Sequence, residues 1–156
     1  MNKYINRLNN LFTKAHVCKS HGIDHAVAVM NHADLAIKSK KYPIPIKTKN
    51  AVKLAALLHD ADDRKFFPDN KNYENLRIVL RDRPGDFVDL VIRMVSLVSS
   101  TTNGDRIPED VIGSEWMLIP RYADRIEAIG LVGVEIGNFS FAQKAVQDIF
   151  VLDGFL

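Results

Sequence analysis

Ala55-Ala56-Leu57-Leu58-His59-Asp60-Ala61-Asp62-Asp63-Arg64-Lys65 runs four apolar residues straight into a histidine and three carboxylates, with two cations at its end. Burying such a cluster costs several kcal/mol for each unpaired charge, so a metal, protein partners or solvent must compensate it. A divalent cation is the simplest single answer. The plainer reading is the polar C-terminal end of a core helix with its carboxylates in water, since helices often end in charged residues. This stretch alone leaves both readings open.

The rest of the chain bears on the choice. Its five histidines are His16, His21, His25, His32 and His59. A single-ion site of imidazoles and carboxylates draws its donors from several helices of a bundle, with positions left open if the ion is to do chemistry. Two further segments suit that need: His21-Gly22-Ile23-Asp24-His25-Ala26-Val27-Ala28-Val29 and Tyr122-Ala123-Asp124-Arg125-Ile126-Glu127-Ala128-Ile129-Gly130. His21 and His25 are four apart, which on a helix would place both on one face. Gly22 breaks the pattern and Asp24 is a natural cap, so the helix is expected from His25 to about Lys38, with His21 in the loop before it. His32 is expected to bond a neighbour rather than a metal, and His16 and Cys18 to be surface or boundary residues.

The order His25, then the adjacent pair His59-Asp60, then Asp124 resembles the metal-ligand signature of the HD-domain phosphohydrolase superfamily. The flanking residues match it too: His25 opens an apolar helix, Leu57-Leu58 lead into His59-Asp60, and Ala123-Asp124-Arg125 is followed by Ala128-Ile129-Gly130. Within that superfamily the chain looks most like small stand-alone HD proteins that cleave phosphate or pyrophosphate from nucleotides. The resemblance spans about residues 20–135 and implies one divalent metal held by His25, His59, Asp60 and Asp124. It also implies a catalytic role for Asp63, steering or deprotonating the attacking water. Arg64, Lys65 and Arg125 are the candidate phosphate contacts, a guanidinium offering a fork and an ammonium a point charge. Branches of the superfamily with two metals use extra histidines between the HD pair and the final aspartate. This chain has none after His59. Manganese is the expected ion on family grounds; cobalt, nickel, iron, zinc or magnesium also fit the donors. Small HD proteins of the kind it resembles usually carry an arginine three residues after the first metal histidine, where this chain has Ala28.

The expected architecture is all-α: a single HD-type domain over residues 1–156, a bundle of about six to eight helices with terminal helices at both ends. Ile5, Leu8, Leu11, Phe12 and Ala15 recur at helical spacing in an amphipathic first helix. Thr48 or Asn50 is expected to cap a third helix that delivers His59-Asp60 in its last turn. A fourth is expected from Tyr73 to about Arg81. Asp86 is expected to cap a fifth carrying Phe87, Leu90, Val91, Met94, Val95 and Val98. Ser99 to Asn103 are expected to cap its end. Pro120 starts or kinks the helix of Asp124, and Gly130 and Gly133 suggest close packing around a short further element. Residues 139–152 read as a terminal helix.

A chain of 156 residues suffices for one core, and 47% hydrophobic with 26% charged residues is ordinary for a globular protein. No apolar run approaches bilayer length, so no membrane partner is expected. One cysteine excludes an internal disulfide. With no apolar leader in the first twenty residues, the expected compartment is the cytoplasm. A net charge of +2 does not by itself point to nucleic acid. The five lysines of Lys38-Ser39-Lys40-Lys41-Tyr42-Pro43-Ile44-Pro45-Ile46-Lys47-Thr48-Lys49 leave an RNA-binding protein as the least favoured alternative. A module that binds metal and nucleotide without turnover is the other alternative to a phosphohydrolase acting on a nucleotide or similar phosphorylated metabolite.

Overall fold

A computed structural model describes residues 1–38, 44–104 and 106–136, without the side chains of residues 100, 101 and 131–136. The fold is an all-α bundle. Among the described residues there are seven α-helices, α1 (Asn2–Lys14), α2 (Ile23–Lys38), α3 (Lys49–Leu57), α4 (Glu74–Val79), α5 (Gly85–Ser96), α6 (Ser100–Asn103) and α7 (Ile119–Ile136), with four short 3-10 turns and no strand. None of these helices is long and apolar enough to cross a membrane. The expected terminal helix over 139–152 and the lysines at 40 and 41 lie outside the described residues.

The bundle forms around α3, which packs against α2, α5 and α7. Its composition explains that position: Ala51, Val52, Leu54, Ala55, Ala56 and Leu57 are all buried, as is Leu58 beyond it. A helix apolar on nearly every side cannot lie at a surface. On α2 the buried residues Ala26, Val29, Met30, Ala33 and Ile37 follow a helical stripe, and α5 contributes Val88, Val91, Met94 and Val95. Each fully buried Leu or Val contributes about 1.5–3 kcal/mol relative to exposure. α1 packs on α2 and α4 through Tyr4, Leu8 and Phe12, and the Phe12 ring stacks on Phe67 with centroids 6.5 Å apart.

Several boundaries differ from expectation. Helix α2 starts at Ile23, so Asp24 stands in the first turn rather than at the cap. A Cβ at Gly22 would sit 3.3 Å from the Cys18 carbonyl oxygen, tighter than ordinary contact, and glycine relieves it there. The Thr48 hydroxyl bonds back to the Pro45 carbonyl at 2.8 Å instead of capping α3. Helix α5 begins at Gly85 after Pro84, with Asp86 in its first turn. Ser99 Oγ accepts the Thr102 N–H at 3.3 Å and so caps the start of α6 rather than the end of α5, whose last carbonyl, that of Ser96, accepts from Asn103 Nδ2 at 2.9 Å. Helix α7 runs unbroken through Gly130, around which a Cβ would meet nothing within 4 Å among the described residues, so no close approach by them requires that glycine.

Candidate metal centre

Helix α3 stops at Leu57, earlier than the sequence suggested. Leu58 N–H still reaches the Leu54 carbonyl at 2.9 Å, after which Ala61 N–H bonds Leu58 O at 3.0 Å and Asp63 N–H bonds Asp60 O at 3.2 Å. His59 and Asp60 therefore occupy a chain of turns. Two adjacent helical residues would point about 100° apart; the turn lets both face the same space.

A non-local clamp holds these turns. Asp62 accepts the Asn75 and Leu76 backbone N–H groups at 3.0 and 2.9 Å, and Asn70 Nδ2 at 2.8 Å. Buried Asn75 donates its side-chain amide to the Ala61 carbonyl at 2.8 Å. The carboxylate of Asp62 thus caps α4 from a distance, where Tyr73, the residue preceding the helix, is left-handed at φ 58° and supplies no side-chain cap. Sequence reasoning missed this role, and a cap twelve or more residues away leaves no local pattern to find.

Four side chains meet in the space so defined. His25 Nε2 and His59 Nε2 face each other at 3.2 Å, and Asp124 Oδ1 lies 3.3 Å from each. Asp60 Oδ2 is 3.3 Å from His59 Nε2 and 4.0 Å from His25 Nε2. Side-chain exposure is 8% for His25, 2% for His59, 16% for Asp60 and 29% for Asp124, which places the opening on the Asp124 side. His25, His59 and Asp60 offer ligand atoms within 4.8 Å of one another.

The electrostatics follow from that crowding. His59 Nδ1 donates to the Ala56 carbonyl at 2.8 Å, which fixes a proton on Nδ1 and turns Nε2 inward toward His25, Asp60 and Asp124. Burial alone would lower the His59 pKa, but the Asp124 and Asp60 carboxylates outweigh it and push it up to about 10. Burial would raise the carboxyls of Asp124 and Asp60, yet the imidazoles beside them hold both below the ordinary aspartate value. Asp60 Oδ2 is buried and accepts no well-aligned hydrogen bond from the described residues. A buried, misaligned carboxylate oxygen among inward-facing imidazole nitrogens calls for a positive charge at their centre, supplied by a proton or a metal ion. Two nitrogens and two carboxylate oxygens form a donor set that suits a borderline divalent cation.

The remaining candidates lie around this group. Asp63 Oδ1 accepts the Lys65 backbone N–H at 2.8 Å, and Lys65 Nζ rests 5.2 Å from the centre of the Phe66 ring. Arg64 is exposed. Arg125 donates to the Gly104 carbonyl at 2.9 Å. His21 ends a 3-10 turn (Lys19–His21), its ring 6.1 Å from that of His25 and 5.4 Å from that of Phe66. His32 Nε2 bonds Glu127 Oε2 at 2.9 Å. Exposed Cys18 contacts Ser20 Oγ and His21 Nδ1 at 3.2 and 3.4 Å. Another residue the sequence did not mark is Arg121, 1% exposed, which donates to the Leu97 and Arg106 carbonyls at 2.6 and 3.0 Å.

No family model matches the chain, and no solved structure does. The chain is similar to an uncharacterized protein of Acanthamoeba polyphaga mimivirus, with 38% identity over 139 residues that cover 80% of this chain and 54% of that protein. It thus spans about half the length of the relative it matches.

Proposed function

We propose that the chain is a metal-dependent phosphohydrolase of the HD type, cleaving phosphate or pyrophosphate from a nucleotide or similar phosphorylated metabolite. The observation that carries this reading is the meeting of His25, His59, Asp60 and Asp124, drawn from three separate segments, around a space their nitrogens and oxygens share. These four residues would hold one divalent ion, with manganese the first choice. When bound, the ion supplies a Lewis-acid charge that stabilises negative charge on a phosphoryl oxygen and eases deprotonation of water. In the hydrolysis a water oxygen adds to phosphorus, the bond from phosphorus to the leaving oxygen breaks, and Asp63 takes up the water proton. Arg64, Lys65 and Arg125 would bind the phosphate oxygens, and a cytoplasmic setting suits such a substrate.

One observation favours a second reading. The Asp63 carboxylate is engaged by the Lys65 backbone and the Arg125 guanidinium by the Gly104 carbonyl. A module that binds metal and nucleotide without turnover would keep its side chains in such structural roles. The test is a panel of nucleoside mono-, di- and triphosphates incubated with Mn²⁺, Co²⁺ or Mg²⁺ and followed for phosphate and pyrophosphate release. Product formed by the wild type and abolished by Asp60→Ala, with circular dichroism unchanged, is the expected result. Ligand-dependent melting shifts without product under every metal would overturn the hydrolase in favour of the binding module.

A further inference from the structure

We propose that His32 and Glu127 are a positioning pair for the metal centre, tying α2 to α7 so that His25 and Asp124 stay at the separation a cation requires. The inference rests on the reading that these donors hold a cation. His25 and His32 are seven residues apart on α2, so both lie on nearly the same face, about 10 Å apart along the axis. Asp124 and Glu127 are three apart on α7 and share a side of that helix. The seam between α2 and α7 therefore carries two histidine–carboxylate rungs, His25 with Asp124 at 3.3 Å and His32 with Glu127 at 2.9 Å.

The rungs differ in what they can do. The first is made of two proposed ligands, which must separate or reorient when an ion enters between them. The second makes no contact with the centre and can persist whether or not the ion is bound. An ionised carboxylate only accepts, so His32 Nε2 carries the proton and the bond has one direction. On the other flank, Arg121 and Arg125 hold α7 to the carbonyls of Leu97, Arg106 and Gly104. Asp124 is thus bracketed by contacts that fix α7 on both sides. Among the described residues, Glu127 makes the bracketing bond that reaches α2, the helix of His25. Metal donors must be held to within about 0.5 Å of their working positions, and a direct interhelical bond one turn away from a ligand does that.

The experiment is titration of the purified protein with Co²⁺ alone, read by its visible absorption bands and by calorimetry, with thermal melting recorded for each variant. Glu127→Gln keeps an oxygen that accepts from His32 at nearly the same reach. Glu127→Asp keeps the charge but draws it back by one methylene. We expect Glu127→Gln to bind Co²⁺ as the wild type does, and Glu127→Asp, Glu127→Ala and His32→Ala to weaken binding about ten-fold with altered bands. The His32→Ala/Glu127→Ala double variant should bind no more weakly than either single one, as partners in one bond do. Co²⁺ binding by the wild type with no change in any of these variants overturns the positioning role, as does a Glu127→Gln variant that loses Co²⁺ like Glu127→Ala. Failure of the wild type itself to bind Co²⁺ overturns the metal centre, and this inference with it.

Discussion

His25 and His59 point the same ring atom, Nε2, at each other across 3.2 Å, while the far nitrogen of His59 is committed to the Ala56 carbonyl. Without a cation, a proton on His59 relieves the pair and answers the two carboxylates. The folded pKa of His59 is raised to about 10. A group raised in this way stabilises the fold fully below its unfolded value, about 6.5, and that contribution is lost as pH rises toward 10. Metal-free protein should therefore show a melting temperature that falls between pH 6.5 and pH 10. A bound cation replaces the proton, so apparent metal affinity should rise over the same window. Thermal melts with EDTA and with excess Mn²⁺, taken across that range, check both; a flat metal-free profile would contradict the geometry.

Asp124 supplies one oxygen to both histidines from the most exposed side of the group. Asp124→Asn preserves size and removes charge. Cation affinity is expected to fall by about 100-fold or more, since even outer partners of metal ligands are worth 10–100-fold. The fold should persist, because α7 is held elsewhere by Arg121 and its buried residues Ile119 and Ala123. Calorimetry with Mn²⁺ alongside circular dichroism separates the two effects.

Asp62 should matter more for stability than its place beside the conspicuous dipeptide implies. Asp62→Ala strips two backbone N–H groups at the start of α4 of their acceptor and frees Asn70. A loss of roughly 2 kcal/mol in urea unfolding is expected from a cap and its charged hydrogen bonds. Metal affinity should fall as well, through loosening of the turn that carries His59 and Asp60. Unchanged stability would mean that α4 finds another cap.

Asp63 separates hydrolase from binding module. Asp63→Asn keeps an oxygen able to accept the Lys65 N–H but removes the base. On the hydrolase reading kcat should drop by about 10²-fold or more with Mn²⁺ affinity intact. Steady-state kinetics and calorimetry on the same preparation give the comparison, and an unaltered kcat would leave Asp63 with its structural bond alone.

The residues that gather at the centre were legible because their chemistry is scarce: only five histidines are present, and only one is followed at once by an aspartate. Leu8 and Phe12 on α1, and Val91, Met94 and Val95 on α5, were legible from helical spacing, which records burial on one face. What the pattern could not carry was non-local. The end of α3 at Leu57 is set by the turn that Asp62 and Asn75 clamp from the start of α4. The continuation of α7 through Gly130 runs against a helix propensity cost of about 1 kcal/mol, which a local pattern cannot weigh against the packing of Ile119 and Ala123 earlier in the same helix. Buried Arg121 was unreadable because its acceptors are carbonyls of residues 97 and 106, and every residue has a carbonyl.

Because the turns from Leu58 to Asp62 are tethered at one end by the packed wall of α3 and at the other by Asp62 and Ala61 gripping Asn75, their residue count has no slack. A single residue inserted between Leu58 and Ala61 would have to displace either the histidine or the aspartate from its mates. The same insertion between Asn70 and Tyr73, beyond the tether, should cost far less. Sequence drift in this protein should therefore be tolerant of length change on one side of that anchor and intolerant on the other.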